Sequence, residues 1–96
     1  MSERKPSDDL LTREFEITNP LGIHARPAAL FVKIASQYDG DVKVQKDDMQ
    51  VSGKSIMGLM TLQASCGSKL RVSVENEDGI AVLDALEDLI RRGFDE

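Results

Sequence analysis

The chain has 96 residues and a formal net charge of −5, from twelve Lys and Arg against seventeen Asp and Glu. A chain of this length suits one domain with one hydrophobic core, and its acidic excess argues against a nucleic-acid partner. The longest apolar runs fall far short of the roughly 20 residues that span a bilayer, so we expect no membrane insertion. The single cysteine, Cys66, excludes a disulfide within the chain and a metal cage of cysteines alone.

The first twelve residues differ in character from the rest of the chain. They mix both signs of charge and lack an apolar core of the signal-peptide type, which predicts a cytoplasmic protein. We therefore expect a disordered polar tail over residues 1–12 and one folded domain over residues 13–96.

Changes in hydrophobic period mark the first predicted elements. Residues 14–18 alternate polar and apolar side chains, which is typical of a half-buried strand, and Asn-Pro-Leu-Gly at 19–22 ends it. From residue 25 to residue 38, apolar side chains follow the i, i+3, i+4, i+7 spacing of an amphipathic helix. Pro27 fits the first turn of that helix, where its missing N–H would have no helical partner.

The second half of the chain predicts three more strands and two more helices. Residues 42–45 and 49–52 have the period of two expected of a β-hairpin. Residues 55–62 are too apolar for a loop and predict a short, partly exposed helix, and residues 70–74 predict the last strand. Residues 82–90 place their apolar side chains at the spacing of a final amphipathic helix.

The predicted order is therefore strand, helix, strand, strand, short helix, strand, helix. Because the strands keep one polar face, helices should cover the sheet on one side only. The sequence predicts an α+β fold, an open-faced two-layer sandwich with a four-stranded, mainly antiparallel sheet covered on one face by helices in the order βαββαβα.

His24 is the only histidine, and it stands where the Pro/Gly loop gives way to the first helix. A neutral imidazole has a lone pair that can attack phosphorus. Arg26 offers a planar guanidinium suited to phosphate oxygens, and the free amides of a first helical turn could bind the same group. The alternative is an ordinary histidine beside a solvated arginine, and these residues alone leave both interpretations open.

Two segments of the sequence resemble a known protein family. Residues 19–28, NPLGIHARPA, resemble the active-site segment of HPr, the histidine-containing phosphocarrier family of the phosphoenolpyruvate-dependent phosphotransferase system. Residues 53–60, GKSIMGLM, are similar to the regulatory-serine region of that family and lie at the family's separation from the histidine. The resemblance covers about residues 13–95, and the element order predicted above is also that of the HPr fold.

The resemblance implies a phosphoryl carrier that acts between enzymes and is not itself an enzyme. His24 would accept the phosphoryl group through Nδ1, Arg26 would stabilise it, and Ser55 would be the site of regulatory phosphorylation. The implied partners are enzyme I as donor, the A components of the sugar permeases as acceptors, and HPr kinase/phosphorylase acting on the serine. No metal or cofactor is implied, and we expect a monomer.

Ser55 and the apolar run after it have a second, local interpretation. Ser55 has the position of a helix N-cap, a role compatible with phosphorylation because a helix N-terminus stabilises a phosphate. The short helix carries more apolar residues than it can bury, so an exposed patch is expected. We interpret Ile56, Met57 and Met60 as partner-docking residues, with gap-filling core methionines as the alternative.

Two other functions remain as alternatives. Residues 17–19 and 93–96 look like NPr, the related carrier of nitrogen or regulatory phosphorelays, whereas residues 54–58 look more like HPr from organisms with the serine kinase. The alternative of another class is a small α+β interaction module without covalent chemistry. Sheet packing alone, however, gives no reason to cluster His, Arg and Pro at one helix start.

Overall fold

In the computed structural model, which describes residues 11–96, the alternating segments form four strands. The strands are β1 (Thr12–Glu16), β2 (Val42–Lys46), β3 (Met49–Ser52) and β4 (Lys69–Val74). They form one sheet in the order β1-β4-β2-β3, and each neighbouring pair is antiparallel. The mainly antiparallel sheet predicted from the sequence is confirmed, and within residues 11–96 it is antiparallel throughout.

Within residues 11–96, three α-helices occur in the predicted order. Helix α1 spans Ala25–Ala35, α2 spans Ile56–Thr61 and α3 spans Ile80–Arg91. Short 3₁₀ turns precede and follow α3, at Glu77–Gly79 and Gly93–Asp95. Among the described residues, no helix is long and apolar enough to cross a membrane.

The first helix is shorter than its apolar pattern predicted. After Ala35, the backbone N–H groups of Gln37 and Tyr38 bond to carbonyls three residues back, at 3.0 and 3.2 Å, which tightens the chain into a turn. Tyr38 still packs in the core, and its hydroxyl donates to Asn76 at 2.8 Å. The helical spacing thus identified a buried residue correctly but placed the end of the helix too late.

The helices cover one face of the sheet and leave the other face polar. In β4, Leu70, Val72 and Val74 are buried beneath the helices. Lys69 and Arg71, which alternate with them, are exposed. This alternation confirms the predicted open-faced two-layer sandwich.

The predicted tail over residues 1–12 falls mostly outside the described residues, which begin at residue 11. Thr12 opens β1 and pairs with Ser73 of β4. Thr12 therefore lies in the folded domain and not in the predicted tail, and the disorder of residues 1–10, which lie outside the described residues, stays a prediction.

The loop that leads into α1 packs tightly against the segment after α2. Gly22 has a φ of +69°, and a Cβ atom there would lie 2.4 Å from the carbonyl oxygen of Ala64. Ile23 donates its backbone N–H to the same oxygen at 2.9 Å. Because only glycine tolerates both this φ and this approach, Gly22 fixes the course of the backbone two residues before His24.

The C-terminal segment turns back toward the start of α1. Gly93 follows α3 with a φ of +63°, the left-handed conformation common just past a helix end. Phe94 also has a positive φ, +58°, which is strained for a residue with a side chain, yet its ring is fully buried. Burial of the ring offsets the strain, and the turn brings Glu96 to the N-terminus of α1.

Candidate functional site

His24 is the N-cap residue of α1 and has an extended backbone, with φ −102° and ψ −165°. Its ring makes no capping hydrogen bond; instead, Nε2 lies 2.8 Å from Oε2 of Glu96. The side chain is 39% exposed, so a partner can reach the ring. Ala28 donates the first helical bond to the His24 carbonyl at 3.0 Å, so the amides of Ala25 and Arg26 have no helical acceptor.

Arg26 lies on the exposed first turn of α1, beside the histidine. Its Nη1 donates to the backbone carbonyl of Phe94 at 3.2 Å and lies 3.7 Å from Oε2 of Glu96. His24 and Arg26, two of the residues predicted for the site, therefore approach the same carboxylate oxygen.

Asn19 and Glu96 complete the cluster, and neither was among the predicted site residues. Asn19 is 3% exposed, and its Nδ2 donates to the Gly22 carbonyl at 2.7 Å and to Oε1 of Glu96 at 2.8 Å. The Glu96 carboxylate is thus engaged at both oxygens, by Asn19 and by His24. The hydrogen bond from Asn19 lowers the pKa of Glu96, and His24 and Arg26 lower it further against an opposing effect of burial.

The two missed residues differ in the signal that could have found them. Asn19 is the first residue of the segment 19–28, which carries the resemblance to the HPr active site, so the sequence alone could have indicated it. Glu96 reaches the site through three consecutive residues with positive φ, Gly93, Phe94 and Asp95, and hydrophobic periodicity does not report such a turn.

Ser55 is the N-cap of α2, and its Oγ accepts the backbone N–H of Gly58 at 2.9 Å. The preceding residue, Lys54, donates from Nζ to the backbone carbonyl of Tyr38, just past the end of α1. Ser55 is partly exposed and lies apart from the His24 cluster in the hydrogen-bond network of the described residues. Ser55 therefore has the predicted geometry of a helix N-cap and does not belong to the His24 cluster.

The residues predicted to dock partners lie on the surface of α2. Ile56, Met57 and Met60 are 40%, 73% and 38% exposed, and we refer to them as the apolar patch. Leu59 of the same helix is fully buried and anchors α2 in the core. Leu21, which was not predicted, is a further exposed apolar residue at 76% and lies in the loop before His24.

Within residues 11–96, Cys66 lies outside the cluster around His24. Cys66 is exposed, and its thiol donates to the Thr18 carbonyl at 3.6 Å. Within residues 11–96, no group of three or more His, Cys, Asp or Glu side chains could hold a metal ion.

The fold and the cluster define a class of protein: a small α+β domain that presents one accessible histidine at a helix N-terminus, with an arginine beside it. A helix N-terminus favours an anionic group, and arginine matches phosphate oxygens. Residues 11–92 match the family described as "PTS HPr component phosphorylation site". The chain belongs to this family, the HPr phosphocarriers of the phosphotransferase system.

Individual relatives agree over most of the chain. The phosphocarrier protein HPr of Treponema pallidum is 41% identical over 87 residues, which cover 91% of this chain and 99% of the relative. The crystal structure of HPr-C-His from Thermoanaerobacter tengcongensis has a TM-score of 0.83 at 45% identity, covering 88% of this chain and 96% of that one. The HPr dimer from the same organism has a TM-score of 0.71 at 42% identity, with both chains fully covered. The fold implied by the sequence resemblance is confirmed.

Proposed function

We propose that this protein accepts a phosphoryl group on His24 from phosphorylated enzyme I and passes it to A components of the phosphotransferase system. The observation that carries the proposal is the placement of the ring. His24 is exposed at the N-terminus of α1, with Nε2 bonded to Glu96 and with Arg26 converging on the same carboxylate. In this role the protein is a carrier between enzymes, without a metal or cofactor of its own.

The transfer needs only groups present in the cluster. The Nδ1 lone pair attacks phosphorus, an N–P bond forms, and the bond from phosphorus to the donor breaks with its electron pair leaving on the donor. Negative charge on the equatorial phosphoryl oxygens is stabilised by the Arg26 guanidinium and by the unpaired amides at the start of α1. The same steps in reverse, with an A component as acceptor, regenerate His24.

The apolar patch supports docking of larger partners close to the histidine. Helices α1 and α2 pack against each other, and Ile23, the residue before His24, donates its backbone N–H to the Ala64 carbonyl just after α2. The end of α2 that carries Met60 is therefore the end directed toward the start of α1. Flexible methionine side chains adapt to surfaces of different shape, which suits a carrier that must bind both a donor and several acceptors.

Ser55 is proposed as the site of regulatory phosphorylation by HPr kinase/phosphorylase. Its hydroxyl lies at the start of α2, where a phosphate would face free backbone amides, and next to Ile56 of the apolar patch. Phosphorylation there would add charge beside the docking surface without touching His24.

The branch of the family is a separate question. NPr, a carrier of a nitrogen or regulatory phosphorelay, is the alternative, because residues 17–19 and 93–96 look like that branch. Transfer from the phosphorylated protein to sugar-specific or to nitrogen-specific A components would distinguish the two. We further propose a cytoplasmic monomer, and light scattering after size-exclusion chromatography tests the monomeric state.

The decisive experiment incubates the protein with enzyme I and radiolabelled phosphoenolpyruvate. We expect label that is stable in base and labile in acid, as for a phosphohistidine, and that depends on enzyme I. A protein that takes up no label over a range of concentrations would overturn the proposed carrier function and favour the interaction module without covalent chemistry.

A further inference from the structure

We propose that Glu96 is a positioning residue for phosphoryl transfer, because its carboxylate holds His24 in the tautomer that leaves the Nδ1 lone pair free. The inference rests on the proposed function of His24 and extends it to a residue outside both motif segments, 19–28 and 53–60. It concerns which ring nitrogen carries the proton before the reaction begins.

The first step is the chemistry of the bond between the two side chains. An ionised carboxylate can only accept hydrogen bonds, so a 2.8 Å contact with Oε2 of Glu96 places a proton on Nε2 of His24. A neutral imidazole has one N–H, and the hydrogen bond made by one ring nitrogen decides the state of the other. In the neutral ring the proton on Nε2 therefore leaves Nδ1 with a free lone pair that can attack phosphorus.

The second step is that the carboxylate is itself held in place. Asn19 is 3% exposed, and the two hydrogens of its Nδ2 go to the Gly22 carbonyl and to Oε1 of Glu96, at 2.7 and 2.8 Å. The opposite amide orientation would point Oδ1 at two acceptor oxygens, so the orientation of Asn19 is determined. A continuous series of bonds thus connects the loop before α1 to the ring of His24.

The third step is the charge of Glu96. The pKa of Glu96 is lowered, first by the Asn19 hydrogen bond and then by His24 and Arg26, so the carboxylate stays ionised at neutral pH. As Nδ1 donates its lone pair to phosphorus, positive charge develops on the ring and is shared by Nε2–H. A negative carboxylate on that nitrogen stabilises the developing charge, and no proton has to leave the ring.

A competing interpretation of the same contacts has the opposite consequence. Glu96 lies 3.7 Å from Nη1 of Arg26 and could mask both His24 and Arg26 from an incoming phosphoryl group. Removal of the charge would then accelerate phosphoryl acceptance, whereas a positioning role predicts that acceptance slows.

The kinetic test compares Glu96→Gln with a matched control, Asp95→Asn. The two substitutions remove the same charge from adjacent residues, but Asp95 pairs with Arg92 at 2.9 Å and makes no hydrogen bond to His24. Glutamine keeps the size of Glu96 but can pair with either tautomer. We expect Glu96→Gln to slow phosphoryl acceptance from enzyme I by about five- to tenfold, and Asp95→Asn to change it less than about twofold. A Glu96→Gln rate equal to or above that of Asp95→Asn would overturn the proposal.

A second readout needs no phosphate. His24 is the only histidine, so the ¹⁵N signals of the imidazole ring are unambiguous. We expect the neutral wild-type ring to carry its proton on Nε2, and Glu96→Gln to give a mixture of tautomers, with Asp95→Asn like the wild type. Equal tautomer populations in all three proteins would overturn the role of Glu96. A wild type that takes no label from enzyme I would instead overturn the function proposed for His24, and the NMR comparison keeps the two failures distinguishable.

Discussion

The backbone carbonyl of Phe94 accepts a hydrogen bond of 3.2 Å from Nη1 of Arg26. Because the Phe94 ring is fully buried, the position of this carbonyl is fixed by the core rather than by the surface. A guanidinium has five N–H donors, and this contact uses one of them. The core therefore orients Arg26 beside His24 and leaves most of its donors for phosphoryl oxygens.

From this geometry we expect Arg26→Ala to slow phosphoryl acceptance without abolishing it. The guanidinium stabilises charge on the phosphoryl oxygens but is not the nucleophile, so a rate loss of about ten- to a hundredfold is reasonable. Rapid-quench measurements of transfer from enzyme I give the rate. Arg91→Ala is the matched control, since Arg91 is exposed on α3 and pairs with Glu87. Equal rates for the two variants would leave Arg26 a solvated side chain.

His24→Ala should abolish phosphoryl acceptance and leave the domain folded. The ring is 39% exposed and packs little of the core, so we expect the free energy of unfolding to change by less than about 1 kcal/mol. Labelling with enzyme I and phosphoenolpyruvate reports acceptance, and chemical denaturation reports stability. Acid-labile label on a folded His24→Ala protein would rule out His24 as the acceptor.

Ser55→Asp should weaken the binding of enzyme I while preserving the fold. Aspartate is also a good N-cap, so it can accept the N–H of Gly58 as Ser55 does, and stability should be unchanged. The added charge lies beside the apolar patch, and a partner that binds there would have to remove water from the charge, which costs free energy. Gln50→Glu, which changes an exposed residue of β3, is the control for charge alone. Similar affinities of these two variants for enzyme I would reduce Ser55 to a helix cap.

Met57 and Leu59 provide a paired test of the apolar patch. Leu59 is fully buried, so Leu59→Ala should lower the free energy of unfolding by about 2–4 kcal/mol. Met57 is 73% exposed, so Met57→Ala should change it by less than about 0.5 kcal/mol but raise the Kd for enzyme I. Denaturation and titration calorimetry separate the two effects. Met57→Ala with wild-type affinity would remove this residue from the docking surface.

The sequence predicted every strand and α-helix of the described residues because apolar side chains recur with the period of each element, even in β3, where only Val51 is partly buried. In β4, for example, Leu70, Val72 and Val74 alternate with exposed residues, and alternation of this kind is visible without a structure. The same reasoning wrongly placed the end of α1 at Tyr38. Tyr38 is buried at the helical spacing, but the chain reaches it through a tighter turn after the helix has ended. Periodicity reports which side chains are buried more directly than where a helix ends.

The sequence predicted two of the four residues of the cluster, His24 and Arg26, but not Asn19 and Glu96. His24 and Arg26 are neighbours in the chain, so local chemistry and the family resemblance both indicate them. Glu96 is 72 positions from His24, and its approach depends on two non-glycine residues, Phe94 and Asp95, adopting left-handed conformations. At Phe94 no local preference favours that conformation, and burial of its ring, a property of the whole fold, offsets the cost.

The loop before His24 offers a stability test that also reports on the site. Gly22 and Gly67 both have positive φ, +69° and +93°, but only Gly22 lies against other backbone, with a Cβ position 2.4 Å from the Ala64 oxygen. A Cβ atom on Gly67 would meet nothing within 4 Å. Gly67→Ala therefore measures the cost of the strained φ alone, which we expect to be about 1 kcal/mol.

Gly22→Ala adds a steric clash to the same strain, and backbone cannot yield as a flexible side chain does. We expect it to lower the free energy of unfolding by about 2 kcal/mol more than Gly67→Ala, measured by urea denaturation. The Gly22 carbonyl also accepts the Asn19 bond, at 2.7 Å, so a displaced loop should disturb Glu96 and His24. Phosphoryl acceptance should therefore fall in Gly22→Ala and not in Gly67→Ala. Equal stabilities and equal rates would show that the loop yields to the clash without moving the histidine.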